Sequence, residues 1–345
     1  MPGRSVKWLV SAAGVAMLCS AGAGGQSRPA GQALAKWVRR PLRVVTYEFL
    51  ERAKGGTEQT PAEIVGFLDR VGGADVLLCK GFQYYRGVFD DSSGGYPRYR
   101  AKIAKILPLA HRRGVKVGVF GFTHREKTYR GQQDHAKVLG VWGRYVREGI
   151  DLLFVDEESG QGGLDIPDKC LAYCGELRRR FRRPVGLFVY GGASRGVGLV
   201  RKAAGHVDVL AEMSYSAYLD KPGDYNLARI TKLWSRTARG VRPEIAYWTG
   251  AGIFGAKHLP GLPGSATWRD RYGDRDESQY LHDYLKTAID HGATGVFFHS
   301  ICRTTWWSQA RRKKVIDGVK RAFAEVTSRR PATARPKEAP ATTGP

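Results

Sequence analysis

Past its opening segment, this 345-residue chain has no apolar run long enough to cross a bilayer as a helix, so stable membrane insertion is not expected. Acidic residues are scarce: 32 Asp and Glu stand against 56 Lys and Arg, for a formal net charge of +24. Such an excess favours anionic surroundings, such as acidic polysaccharide, cell-wall polymer or lipid headgroups. The basic residues are scattered over the chain, as in Arg178-Arg179-Arg180 and Arg311 to Lys314. No nucleic-acid module accompanies them, so nucleic acid is not an expected partner. The first apolar strand lacks a Gly-rich phosphate turn, which argues against a doubly wound nucleotide fold. It also lacks the paired histidines of a metal-dependent hydrolase barrel. No His and carboxylate pattern completes a zinc site around Cys170 and Cys174, and neither a metal nor a cofactor is expected.

The opening segment has its own pattern. Arg4 and Lys7 are a short basic region, Trp8 to Leu18 an apolar one, and Ala21-Gly22-Ala23 a small-residue cleavage site. Residues 1–25 therefore have the form of an export signal, giving a secreted or cell-envelope protein. Their removal takes away Arg4 and Lys7 and leaves a charge of +22. Export would put Cys79, Cys170, Cys174 and Cys302 in an oxidising compartment, with three pairings possible. Cys170 and Cys174, four apart on an expected helix, serve either helix packing or a bridge.

Residues 26–40 are small and polar and form an expected linker. From there strands and helices alternate without a break. Expected strands are 42–47, 74–80, 115–122, 150–156, 184–190, 207–215, 244–248 and 294–299. Expected helices are 61–71, 98–113, one ending at Gly149, then 167–182, 197–204, 227–237, 276–291 and 308–324. Thr60 and Pro61 mark one helix start, while Gly114, Gly149 and Gly292 mark helix ends. Eight strand–helix units over about 285 residues have the size and order of a single-domain (β/α)8 barrel spanning 41–326. A Pro-, Ala-, Thr- and Arg-rich tail over 327–345 is expected to be disordered.

Active sites of such barrels lie at the carboxyl ends of the strands. Those ends supply Tyr47 and Glu48, Lys80 and Gln83, His124, Asp156 and Glu158, Tyr190, Met213 and Tyr215, Trp248, His299, and then Trp306-Trp307. A Tyr- and Trp-rich face with few acids suits a sugar, whose apolar ring faces stack on aromatic side chains. The run Gly149-Ile150-Asp151-Leu152-Leu153-Phe154-Val155-Asp156-Glu157-Glu158 is a buried strand that ends in three acids. Alternation puts Phe154, Asp156 and Glu158 on one face. Neighbouring negative charges raise the pKa of any one of them that loses water, as a general acid needs. A helix cap or an Arg partner is the plainer role for the same acids. Asp151, at the strand start, is expected to be structural.

That strand resembles the D-x-x-D-x-D-x-E signature of glycoside hydrolase family 18, the chitinase and endo-β-N-acetylglucosaminidase group. Asp151, Asp156 and Glu158 fall on three of its four acids, and Met213-Ser214-Tyr215-Ser216 is similar to that family's M-x-Y-D. The resemblance implies a glycosidase without cofactor, acting on a polysaccharide or glycan. It makes Glu158 the proton donor, Asp156 the carboxylate that orients the substrate acetamido group, and Tyr215 a hydrogen-bond donor to the reacting sugar. Trp306 or Trp307 would take the family's Trp after the last strand, and Tyr47, Trp248 and Met213 would line the cleft. Two positions depart: Phe154 stands at the inner acid and Ser216 at the Asp of M-x-Y-D. If a second enzyme carboxylate acts instead, Glu48, Glu157 and Glu212 are the candidates. A family 25 lysozyme-like cell-wall hydrolase and a non-catalytic carbohydrate-binding barrel are the alternatives.

Overall fold

The computed structural model describes residues 37–48, 58–85, 88–89, 95–123, 132–156, 168–190, 192–213, 217–252 and 275–329. The expected export signal, most of the expected linker and the chain beyond 329 lie outside them. Among the described residues, eight parallel strands form the wall of a barrel. They are β1 (Leu42–Tyr47), β2 (Val76–Tyr85), β4 (Lys116–Thr123), β5 (Leu152–Asp156), β6 (Val185–Val189), β7 (Val209–Glu212), β8 (Ala246–Gly252) and β9 (Gly295–His299). A two-residue strand, β3 (Val88–Phe89), turns back antiparallel on the end of β2 within a stretch expected to be all loop. β1 pairs with both β2 and β9, which closes the wall.

Among the described residues, eight helices cover the outside: α1 (Pro61–Arg70), α2 (Gly95–His111), α3 (Gln132–Arg147), α4 (Asp168–Phe181), α5 (Ala193–Ala203), α6 (Leu227–Val241), α7 (Glu277–Asp290) and α8 (Gln309–Ser328). The chain is thus a (β/α)8 barrel. Local chemistry sets the helix boundaries. Thr60 and Glu63 form a reciprocal capping box at α1 with Pro61 in the first turn. α8 continues to Ser328, two residues into the expected tail, because Val326 is still buried.

Alternation along the strands sorts the apolar residues into two cores. Leu42, Val44, Val76, Leu78, Phe120, Leu152, Phe154, Phe188, Val209, Ala211, Trp248 and Phe297 fill the barrel interior. A larger cluster, including Val45, Tyr47, Leu77, Val155, Leu210 and Tyr247, packs between strands and helices. Phe154 lies 5.4 Å from Trp248 and 4.9 Å from Phe188 between ring centroids. Gly186 admits this stack, since a Cβ there would lie 2.3 Å from the Phe154 ring. The lower end is stoppered from inside the expected linker. A 3-10 turn at Trp37–Arg39 buries Val38, whose carbonyl accepts a 3.4 Å bond from the Trp248 indole.

One device recurs around that lower end. Asp75 donates its N–H to the Arg43 carbonyl and accepts the Arg43 N–H on its carboxylate at 2.9 Å. Asp151 does the same with Val117 at 2.9 Å, and Asp208 with Val185 at 3.0 Å. Thr294 does so with Tyr247, through its hydroxyl, at 3.0 Å. These four reciprocal clasps join β1 to β2, β4 to β5, β6 to β7 and β8 to β9, so each ties one consecutive pair of barrel strands. Basic side chains close over three of them: Arg43 on Asp75, Lys116 and His111 on Asp151, and Arg178 and Arg242 on Asp208. Asp151 therefore has the structural role its position suggests. The four cysteines Cys79, Cys170, Cys174 and Cys302 are buried and not bridged to one another, so no disulfide joins Cys170 to Cys174.

Candidate functional site

At the upper end, the inward positions change from apolar to polar within one residue pair. Above Val44 on β1 comes Thr46 and then Glu48, above Leu78 on β2 comes Lys80, above Phe154 on β5 comes Asp156, and above Phe297 on β9 comes His299. Met213, just past β7, is half-buried against the interior cluster. The result is a bowl with an aromatic floor of Phe120, Phe154 and Phe188 and a polar rim. Asp156 is 8% exposed, flanked in register by Phe122 and Phe188. A bulge between Lys80 and Phe82 shifts the alternation of β2. Phe82 then packs outward on Trp142, and Lys80 hydrogen-bonds Gln83 at 3.0 Å.

The tightest polar cluster of the rim joins β1 to β9. The His299 Nε2 lies 3.0 Å from the Glu48 carboxylate, and its Nδ1 lies 2.9 Å from the Thr46 hydroxyl. Ser300 Oγ donates to Glu48 at 3.5 Å and touches the Cys302 sulfur at 2.9 Å. The Thr46 hydroxyl also reaches the Phe298 carbonyl at 3.5 Å. A hydroxyl both donates and accepts, so this shell satisfies either the neutral or the charged imidazole. Sequence reading named Glu48 and His299 singly but did not join them. The signal was available: Leu42, Val44, Thr46 and Glu48 share one parity on β1, as Phe297 and His299 do on β9.

The structure places several expected cleft residues elsewhere. Tyr47 is fully buried on the outer face of β1, where Lys102 Nζ donates to its hydroxyl at 2.7 Å. Beside it, a hydrogen bond from Arg98 holds the Glu58 carboxyl down at about 2. Trp248 does face the axis, but at the lower end beside Gly295, where it is part of the floor. Trp307 packs against the outer cluster with the Arg311 guanidinium 4.8 Å from its ring. Glu212, a candidate second carboxylate, points outward instead. It is fully buried, accepts the Tyr247 hydroxyl at 2.7 Å, and burial pushes its pKa up to about 8. Of the expected site residues, Asp156 and Met213 lie at the bowl, Asp156 past Phe154 on β5 and Met213 against the interior cluster. Glu158, Glu157, Tyr215, Ser216 and His124, and the side chain of Trp306, lie outside the described residues. Among the described residues, no group of three or more His, Cys, Asp or Glu has the arrangement of a metal site.

A closed (β/α)8 barrel with a polar-rimmed bowl at the carboxyl end of the wall is the class this geometry defines. No family model and no curated protein matches the sequence. Solved structures with the same fold include the group IV chitinase of Ostrinia furnacalis in complex with allosamidin (TM-score 0.58, 13% identity, 83% of this chain and 99% of that one). Human YKL-39, a pseudo-chitinase with retained chitooligosaccharide binding, aligns at TM-score 0.59 and 11% identity over 82% of this chain and 99% of its own. The class V chitinase of Nicotiana tobaccum aligns at 0.52 and 11%, over 82% and 99%. At such identities the likeness is one of fold.

Proposed function

We propose that this chain is an exported glycoside hydrolase acting on a polysaccharide or glycan, with Glu158, two residues beyond β5 in the sequence, as proton donor. The observation that carries the reading is Asp156. It is an inward, nearly buried carboxylate at the upper tip of β5, set over an aromatic floor in a barrel that shares its fold with chitinases. Glu158 follows two residues later in the sequence, outside the described residues. In this reading Glu158 protonates the leaving oxygen and Asp156 orients the sugar or keeps Glu158 protonated by its own charge. Met213 and the aromatic floor supply apolar contact to the ring faces.

Turnover on a panel of labelled glycans, including chitin oligomers, peptidoglycan and acidic polysaccharides, tests this beside Glu158→Gln. Loss of the proton donor is expected to cost about 100- to 10,000-fold in turnover with an unchanged melting temperature. Undiminished turnover in that variant would overturn the assignment. One observation favours a second reading, a barrel that binds carbohydrate without cleaving it. Phe154 fills the position of the family's inner acid and is locked between Trp248, Phe188 and Gly186. Glycan binding by the wild type without turnover is the outcome that selects that reading.

A further inference from the structure

We propose that the lower rim at the ends of α3 and α4 is a docking surface for an anionic polysaccharide, one that carries carboxylates along its chain. The surface lies at the opposite end of the barrel from the bowl and does not depend on the glycosidase reading.

The parallel strands begin at the lower rim and the covering helices end there, so the last turn of each helix lies at that end. α3 ends with Arg144 and Arg147, and α4 with Arg178, Arg179 and Arg180, followed by Arg182 and Arg183. The acids of this arc are already engaged: Glu148 with Arg100, Asp151 with Lys116 and His111, and Asp208 with Arg178 and Arg242. Arg144, Arg147, Arg179, Arg180 and Arg182 are exposed and have no carboxylate partner among the described residues. The ends of α7 and α8 differ, for there Lys286 and Arg329 both meet Asp290.

Packing makes these arginines one patch. A Cβ at Gly143 of α3 would lie 3.4 Å from both the Arg147 guanidinium and the Phe181 ring, so those two side chains lie together on the α3–α4 seam. The Arg180 guanidinium stands 5.8 Å from the centroid of the same ring. A Cβ at Gly175 of α4 would lie 3.4 Å from the Arg179 guanidinium and 3.5 Å from the His206 ring, which carries the patch on to the turn between α5 and β7.

The helix dipole favours cations in a last turn, but its effect fades beyond the helix, where Arg182 lies. Arg182 also holds the left-handed backbone, at φ 51°, whereas the chain past α2, α3 and α7 uses Gly114, Gly149 and Gly292 at φ 71°, 98° and 108°. An arginine in a glycine's position keeps a side chain at a conformational cost, and such outliers cluster at binding sites.

The chemistry of the patch selects its partner. Guanidinium forks grip carboxylates through two parallel hydrogen bonds. The half-buried Phe181 ring, with Arg147 and Arg180 beside it, offers an apolar face to a sugar. Among the described residues the exposed large apolar side chain is Val241, on α6, so this patch has no wedge for lipid. A polysaccharide with a carboxylate on each ring meets forks and face together. Like charges so close repel one another in the free protein, and a bound polyanion relieves that repulsion. Docked here, the polymer leaves the bowl open at the other end.

Binding of the full chain to polygalacturonate is measured at about 150 mM NaCl and over a salt series. One variant combines Arg144→Gln, Arg147→Gln, Arg179→Gln and Arg182→Gln. A control removes the same charge elsewhere, through Lys232→Gln, Arg236→Gln, Lys313→Gln and Lys320→Gln. Expected are a loss of at least ~10-fold in affinity with a shallower salt dependence for the first, and of less than ~3-fold for the control. The fully methyl-esterified polymer, with the same rings and no charge, binds at least ~10-fold more weakly than the acid. Arg182→Gly melts no lower than wild type and still binds more weakly, which separates binding from folding. The acid polymer raises the melting temperature of the wild type more than that of the fourfold variant. Equal losses in the fourfold variant and the control, equal binding of the ester, or no binding at this salt overturns the proposal. So does a patch-dependent preference for phosphatidylglycerol vesicles or duplex DNA, which would assign the patch to another class of partner. Because binding is read here and not turnover, a wild type that cleaves no glycan counts against the glycosidase reading alone.

Discussion

At the lower rim, Asp75, Asp151 and Asp208 each accept a backbone N–H and a cationic side chain. At the upper rim, Glu48 is held by side chains from the strand beside it, and Asp156 stands over an aromatic floor. Both ends are rich in polar groups, yet the lower acids bond a backbone N–H of the neighbouring strand, whereas Glu48 bonds the side chains of His299 and Ser300. A carboxylate that satisfies a backbone N–H cannot be removed without stranding that donor in a place water does not reach. A carboxylate that bonds an imidazole and a hydroxyl of a neighbouring strand can be replaced by its amide with less loss. The barrel thus separates acids that clasp backbone at the lower rim from acids that line the bowl at the upper one, as this architecture assigns stability to one face and chemistry to the other.

Substitutions at each end sharpen that contrast. Asp208→Ala is expected to have the largest effect on stability. It strands the Val185 N–H and leaves the Arg242 guanidinium, itself 13% exposed, without its closest carboxylate. About 3–5 kcal/mol should be lost, read as a lower midpoint in urea, with turnover at permissive temperature unaffected. Asp151→Ala removes the Val117 clasp beneath two more exposed side chains, Lys116 and His111, and should cost about 2–3 kcal/mol. Thr294→Val keeps the shape of the fourth clasp and loses one neutral hydrogen bond, about 1 kcal/mol. Glu48→Gln at the mouth should shift stability by less than about 1 kcal/mol. A large stability loss there, or a loss of turnover in folded Asp151→Ala, would erase the distinction between the two ends.

Glu212 belongs to neither rim and gives a pH signature of its own. Its folded-state pKa of about 8 lies above the ordinary 4.5, so the folded protein holds this proton more tightly than the unfolded chain. The resulting stabilisation is complete below about pH 4.5 and is lost as pH rises through about 8. Glu212→Gln removes the titrating group. The melting temperature of the variant relative to wild type should therefore climb by a few degrees between about pH 5 and pH 9. A difference that stays flat across this range would show that Glu212 is not held protonated.

The barrel was legible in the sequence because its parts are periodic: glycines stop helices at Gly114, Gly149 and Gly292, and apolar runs follow each. The site was less so. Counting aromatics at strand ends ignored parity, which sends Tyr47 to the helices, and misjudged depth, because β8 continues past Trp248 to Gly252. The bulge that brings Gln83 to Lys80 has no simple sequence mark. The clasps do have one. Gly73-Ala74-Asp75, Gly149-Ile150-Asp151 and Gly292-Ala293-Thr294 repeat a glycine, an apolar residue and a side-chain acceptor, and Gly205-His206-Val207-Asp208 is the same with one insertion.

Val38 and β1 are among the first parts of this chain to be synthesised and among the last to find their partners. Leu42 must wait for Gly295 to complete its pairing, and Val38 for Trp248, some 210 positions later. Through all of synthesis the first strand has one edge unpaired and its apolar face uncovered. An unpaired apolar edge is open to other chains as well as to its own. Closure of the barrel is therefore a late event that spans nearly the whole sequence, and in time the weakest seam of the finished wall is the one where its beginning meets its end.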